Sequence, residues 1–169
     1  MKIKNSQAWK FIYWPAVWFV ALWPWHVPVE ESFGAFKILG LLVMAYGLLV
    51  HIIAGKTLKR HGHSAQSRTI WPDRLVTMGI YSRMRHPQHL GLMLIPLGIA
   101  LMISTFQALL AAGWTVAAAL FFILVIEEPE CVAKFKTSYF QYMEKTPAFS
   151  IHPETIIYGI RFLKGPTEE

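Results

Sequence analysis

The chain has 169 residues, 54% of them hydrophobic, 14% aromatic and only 15% charged, with a formal net charge of +6. That length would suit one soluble domain, but the apolar residues fall in four long blocks with the charges gathered between them, a pattern that points away from a soluble core. The single cysteine, Cys131, excludes an internal disulfide.

The first block, Lys10–Pro28, is interrupted by Pro15 and Pro24. It reads as a retained, lipid-facing span, because no small-residue cleavage site follows it. Trp9, Trp14, Trp23 and Trp25 read as interfacial anchors. The second block, Phe33–Ala54, carries Gly34, Gly40 and Gly47, with Gly55 just beyond. These glycines either let a partner helix approach closely or are residues common to any membrane span, and both readings stand.

A polar stretch follows, expected as a cytoplasmic loop over residues 55–88. Its Trp71, Leu75 and Val76 argue for an ordered lid, since loops of this length are functional or disordered. Leu90–Ile103 and Ala108–Ile126 come next, split by Ser104-Thr105-Phe106-Gln107, and predict a tight helical hairpin. The remainder, residues 127–169, is expected to be amphipathic. Val132, Phe135, Tyr139 and Tyr142/Met143 recur at helical spacing within Cys131–Lys145, which should lie against the membrane surface. A short surface helix is expected around Ile156–Phe162. The fold class is therefore all-α: one membrane-embedded domain, 1–169, with four transmembrane helices and a cytoplasmic amphipathic C-terminal helix.

The charges orient this arrangement. With four spans, all sixteen lysines and arginines except Lys37 fall on one side, while Glu30 and Glu31 sit in the short outer loop. Positive charge marks the cytoplasmic side, so a multi-pass protein with both termini cytoplasmic is expected. The basic excess then reflects topology and no nucleic-acid partner.

The stretch Gly79–Gly91 gathers Tyr81, Arg83, Arg85, His86, Pro87 and His89 at a membrane boundary, where such side chains need a reason to be present. Pro87 biases His86 away from helical geometry, so a helix should begin near it, with Arg85 and His86 beside free N–H groups suited to anionic ligands. The same hairpin that starts at Arg85, His86 and His89 ends at Glu127 and Glu128, so topology brings both groups into one cytoplasmic pocket. Three readings compete. Arg85 could simply neutralise Glu128; His61-Gly62-His63 could join His86, His89 and Glu127 in a metal site; or the chain could be a non-enzymatic membrane scaffold.

The pattern Leu75-Val76-Thr77-x-Gly79-x-Tyr81-x-x-x-Arg85-His86-Pro87, followed by a hairpin, Glu127-Glu128 and Phe135-x-x-x-Tyr139-x-x-Tyr142, resembles the isoprenylcysteine carboxyl methyltransferase and phospholipid methyltransferase superfamily. The resemblance runs from about Gln66 to Pro147. It implies a membrane methyltransferase that uses S-adenosyl-L-methionine, leaving S-adenosyl-L-homocysteine, without a Rossmann domain. Carried over residue by residue, it implies Gln66, Asp73, Arg74, Leu75, Val76, Tyr81, His86, Pro87, Gln88, His89 and Glu127 as cofactor contacts. Arg85, His89 and Glu128 are then expected nearest the chemistry, with a lipophilic small molecule or lipid acceptor entering from the bilayer. His89 or Glu128 would take a proton from an amine acceptor. No resident metal is expected on this reading. Three positions depart from the pattern. His89 replaces the usual aromatic, Lys136 replaces the usual glycine as an expected surface change, and Ile123 replaces the arginine that the prenylcysteine enzymes use for a substrate carboxylate. An apolar residue cannot bind that anion, which disfavours a prenylcysteine carboxylate as the acceptor.

Overall fold

Two antiparallel helices meet at backbone distance in the computed structural model: α2, Gly34–His61, and α3, Pro87–Ile103. A Cβ placed at Gly40 would stand 2.5 Å from the Gly98 carbonyl oxygen, and one at Gly91 would stand 2.6 Å from that of Gly47. No side chain tolerates such approaches, so close packing is the reading that holds for Gly40 and Gly47, whereas Gly34 has nothing within 4 Å of its Cβ and Gly55 meets only the Gln88 side chain at 3.4 Å. The structure describes residues 10–22, 34–65 and 72–165, and among them all regular structure is helical.

The rest is built outward from this seam. Ser104, in the left-handed region at φ 58°, ends α3, and the Thr105 hydroxyl accepts from the Ala108 N–H at 3.3 Å to start α4, Phe106–Phe122. The expected tight hairpin is therefore present. α1, Lys10–Leu22, leans on α4, where the Tyr13 hydroxyl donates to the Ala118 carbonyl at 2.7 Å. Leu41, Leu42, Leu48 and Leu49 of α2 remain exposed, so that helix is apolar on its outer face as well as its inner one. Gly34–His61 and the continuous helix Phe106–Phe135 are long and apolar enough to cross a membrane, whereas α3 is apolar but only 17 residues long. Of the first block, residues 23–28 lie outside the described residues, as do Trp9, Trp23 and Trp25.

Three boundaries differ from expectation for local reasons. α2 runs past Ala54 to His61, taking the first two turns of the expected loop. No proline interrupts it, and Lys59, Arg60 and His61 complement the negative end of its dipole. The amphipathic stretch after α4 is two helices, α5, Glu128–Phe135, and α6, Thr137–Lys145. They break at Lys136, whose φ 51° and ψ −128° lie in a region that favours glycine. Lys136 is thus a backbone feature as well as a surface one. The last helix, α7, Pro153–Lys164, extends the expected short one at both ends and packs against Gly79, whose Cβ would meet the Phe162 ring at 2.6 Å.

Two stability predictions follow from this packing. Gly47→Leu or Gly91→Leu should each lower stability by about 1–3 kcal/mol or more through overpacking. Gly113→Leu, with nothing within 4 Å of its Cβ, should leave the detergent melting temperature nearly unchanged. Lys136→Gly should raise that temperature by relieving part of about 1–3 kcal/mol of backbone strain; a lower one would refute the strained turn.

Candidate active site

Gly79, at φ 60°, opens a single 3-10 turn through Ser82 that buries Ile80 and Tyr81. The Tyr142 hydroxyl of α6 donates to the Tyr81 carbonyl at 2.5 Å and holds this turn from below. Two backbone bonds then fix the motif itself: Arg85 N–H to the Pro147 carbonyl at 2.9 Å, and His86 N–H to that of Ala148 at 3.1 Å. His86, at φ −120° and ψ 54°, lies outside the helical region that proline disfavours for the residue before it, and Pro87 starts α3 as expected.

The opposing carboxylates come from an irregular piece of helix. Residues Ile123–Glu127 form a π turn, with the Glu128 N–H bonded five residues back to the Ile123 carbonyl. Pro129 supplies a reason for the widening, because it offers no N–H and its ring would press on the Val125 carbonyl in a regular α-helix. Glu127 and Glu128 consequently take different neighbours and share only the His86 ring, one at each nitrogen. Glu128 Oε1 accepts from Arg85 Nη2 at 2.7 Å, Arg85 Nε at 3.2 Å and His86 Nε2 at 3.0 Å. Glu127 Oε2 instead lies 3.1 Å from His89 Nδ1 and 3.6 Å from His86 Nδ1. Arg85 Nη1 also donates to the Thr146 carbonyl at 2.7 Å.

The electrostatics follow from burial. His86 is only 3% exposed, which alone would push its imidazolium down, but the Glu127 and Glu128 carboxylates outweigh this and hold it above its ordinary value. Burial, reinforced by Glu127, pushes the Tyr81 phenol well up, so it stays a neutral hydrogen-bonding group.

These groups face a cavity of about 320 Å³. Of the residues expected at the site, Arg74, Leu75, Val76, Tyr81, Arg85, His86, Pro87, Gln88, His89 and Glu127 line it together. Two do not. Asp73 instead accepts from the Ser64 backbone and hydroxyl at 2.8 and 2.6 Å, closing the loop. Glu128 stands behind the wall and reaches the cavity only through Arg85 and His86. Gln66 lies outside the described residues. Ile123 is 1% exposed and packed in the interior, not on the cavity surface. His61 packs its ring on Phe162 and His63 borders a separate hollow, so neither joins His86 and His89.

Among the lining residues that sequence reasoning did not place at the site are four aromatic-type side chains from four helices. Trp14, expected as an interfacial anchor, also lines the cavity, its ring 5.6 Å from those of His89 and Phe122. His51 of α2 donates from Nδ1 to the Gln88 carbonyl at 3.2 Å, and Tyr139 closes the far side. Only the aromatic spacing around Tyr139 was legible beforehand; nothing in the sequence singled out Trp14, His51 or Phe122.

An all-helical chain with apolar, membrane-length helices and a cavity walled by Arg, His and Glu at one end of the bundle defines a class of helical membrane protein. Residues 35–138, which carry α2, α3, α4 and both faces of this cavity, match the phospholipid methyltransferase family. The chain belongs to that family. It is also 28% identical over 132 residues to a protein-S-isoprenylcysteine O-methyltransferase of Xenopus laevis, a match covering 76% of this chain and 42% of that protein. The chain thus spans less than half the length of that relative. No solved structure matches it.

Glu128→Gln should loosen the whole wall, because it removes the negative charge that answers Arg85 and His86. With the Arg85 and Glu128 side chains only 12% and 15% exposed, the expected loss is about 3 kcal/mol, read as a lower melting temperature in detergent. An unchanged value would mean that the backbone clamp at residues 147–148 holds the motif alone.

Proposed function

We infer that this protein is an S-adenosyl-L-methionine-dependent membrane methyltransferase that modifies a lipophilic small molecule or lipid. The observation that carries the reading is the single cavity on which Arg85, His86 and His89 converge with Glu127 and the Arg74–Val76 loop. Family membership adds to it.

The residues present suit the cofactor. Glu127 offers a carboxylate for an ammonium or for ribose hydroxyls, and Arg85 and the N-terminus of α3 offer positive charge for a carboxylate. Leu75, Val76 and Tyr81 provide apolar and aromatic surface for an adenine ring and a sulfonium. A volume of about 320 Å³ is at the lower end of small-molecule sites. When bound, the cofactor supplies an electrophilic methyl group on a sulfonium. The chain's own contribution is to align an acceptor and exclude water. Trp14 and Phe122 wall off the end nearest the bilayer, and His89 beside them can accept a proton from an acceptor that carries one. Glu128 fixes the orientation of Arg85 and His86.

The four-span arrangement supports this site, with α1 and α3 as the shorter spans beside the two long helices. Both termini and the cavity would face the cytoplasm, a reading that the placement of the basic residues supports. The cofactor would then arrive from water and the acceptor laterally from the bilayer. Ile123, buried at the start of the π turn, offers nothing to a carboxylate substrate, which favours a different acceptor group.

Calorimetric titration of S-adenosyl-L-homocysteine into detergent-purified protein tests the reading. Saturable binding is expected, weakened at least about tenfold in Glu127→Ala, since one lost hydrogen bond to a charged group is worth about 1.5–3 kcal/mol. Absence of binding by folded wild-type protein would sink the methyltransferase reading.

A further inference from the structure

His89 stands on the cavity wall beside His86 and Glu127, and this changes what the wall can hold. One ligand atom from each of His86, His89 and Glu127 lies within 4.8 Å of the other two. His89 Nδ1 and His86 Nδ1 stand 3.1 and 3.6 Å from the same oxygen, Glu127 Oε2. Two ligands bound tetrahedrally to zinc at ordinary bond lengths lie about 3.4 Å apart, between those two values. The two imidazoles meet at 72°, so they converge on Glu127 without stacking.

The surroundings strengthen the geometry. Glu128 accepts the Nε2–H of His86 at 3.0 Å, which turns Nδ1 inward and reproduces the carboxylate–histidine–metal arrangement that orients metal ligands. Glu128 also answers the Arg85 charge, easing the approach of a cation. The remaining side of the trio opens on the cavity, leaving room for water as a fourth ligand.

We propose that His86, His89 and Glu127 form a binding site for a divalent transition metal of the zinc class. Two imidazoles and one carboxylate suit zinc better than magnesium or calcium, which prefer oxygen. The metal takes the place of protons that otherwise lie between the imidazoles and Glu127. Glu127 is assigned to the cofactor above, and the resemblance implies His86 and His89 as further contacts, so metal and cofactor exclude one another. That exclusion rests on the methyltransferase reading, whereas metal binding does not.

Zinc chloride titrated into tag-free, chelator-stripped protein in detergent should bind at one ion per chain. Affinity should fall at least tenfold in His89→Phe and in Glu127→Gln, and persist in a His61→Ala/His63→Ala variant. X-ray absorption of zinc-loaded wild type, which needs no variant to fold, should show two imidazoles and oxygen donors. No binding, equal binding by His89→Phe, loss in the His61/His63 variant, or a first shell without two imidazoles would each overturn the site. S-adenosyl-L-homocysteine titrated into metal-free protein tests the methyltransferase reading separately. Its affinity should fall when zinc is present; an unchanged affinity would overturn the exclusion and leave the metal site standing.

Discussion

The architecture of the cavity depends on one carboxylate that does not touch it. Glu128 Oε1 receives three N–H groups, two from Arg85 and one from His86, and each of those side chains faces the cavity on its other side. Bringing an arginine and a histidine into a site this enclosed would cost several kcal/mol per ion without an answering charge. Charge-assisted bonds near 2.7–3.0 Å offset that cost and set direction as well as energy. Glu128 thereby leaves Glu127 for the cavity, and the π turn ending at Glu127 is the local distortion that precedes this division of roles between consecutive glutamates.

The wall also needs a floor at fixed distance, which the glycine seam provides. Gly47 and Gly91 bring the α2 and α3 backbones together one turn from His51 and within a turn of His89. The His51 ring bonds the Gln88 carbonyl across the same seam. A methyl group at either glycine would lever α3, and with it the His86–His89 face, away from α2. Stability and site geometry are therefore coupled through a contact that contains no catalytic group. From the C-terminal side, residues 147–148 and Tyr142 clamp the backbone of the motif, so the wall is held from both ends of the chain.

Much of this was legible in the sequence, and the rest was hidden for physical reasons. The two apolar blocks, Pro87 and the Ser104–Gln107 turn gave the hairpin, and the hairpin alone sufficed to bring Arg85, His86 and His89 against Glu127 and Glu128. Ten of the residues expected at the site do line one cavity. The roles of Glu127 and Glu128 were not separable, because side-chain direction there depends on a π turn that composition does not signal except through Pro129. Lys136 looked like surface because charge says nothing of φ. Trp14 looked only like an anchor because interfacial and cavity-lining tryptophans share the same flanking residues, and only the docking of α1 on α4 brings its ring to the cavity.

The match to the methyltransferase family begins at residue 35 and ends at 138, and this boundary divides the cavity by chemistry. Every charged group that lines it, from Arg74 to Lys134, lies inside the matched segment. Trp14 before the segment, and Tyr139 and Tyr142 after it, supply aromatic enclosure and no charge. The division follows from what each part must do. Polar groups that hold a charged ligand must keep their mutual distances to within a few tenths of an ångström, and they sit on helices locked by the glycine seam and by Glu128. Enclosing groups need only bulk and the exclusion of water, so Trp14 can come from α1, which docks on this frame without forming it, while Tyr142 of α6 both encloses the cavity and clamps the motif backbone.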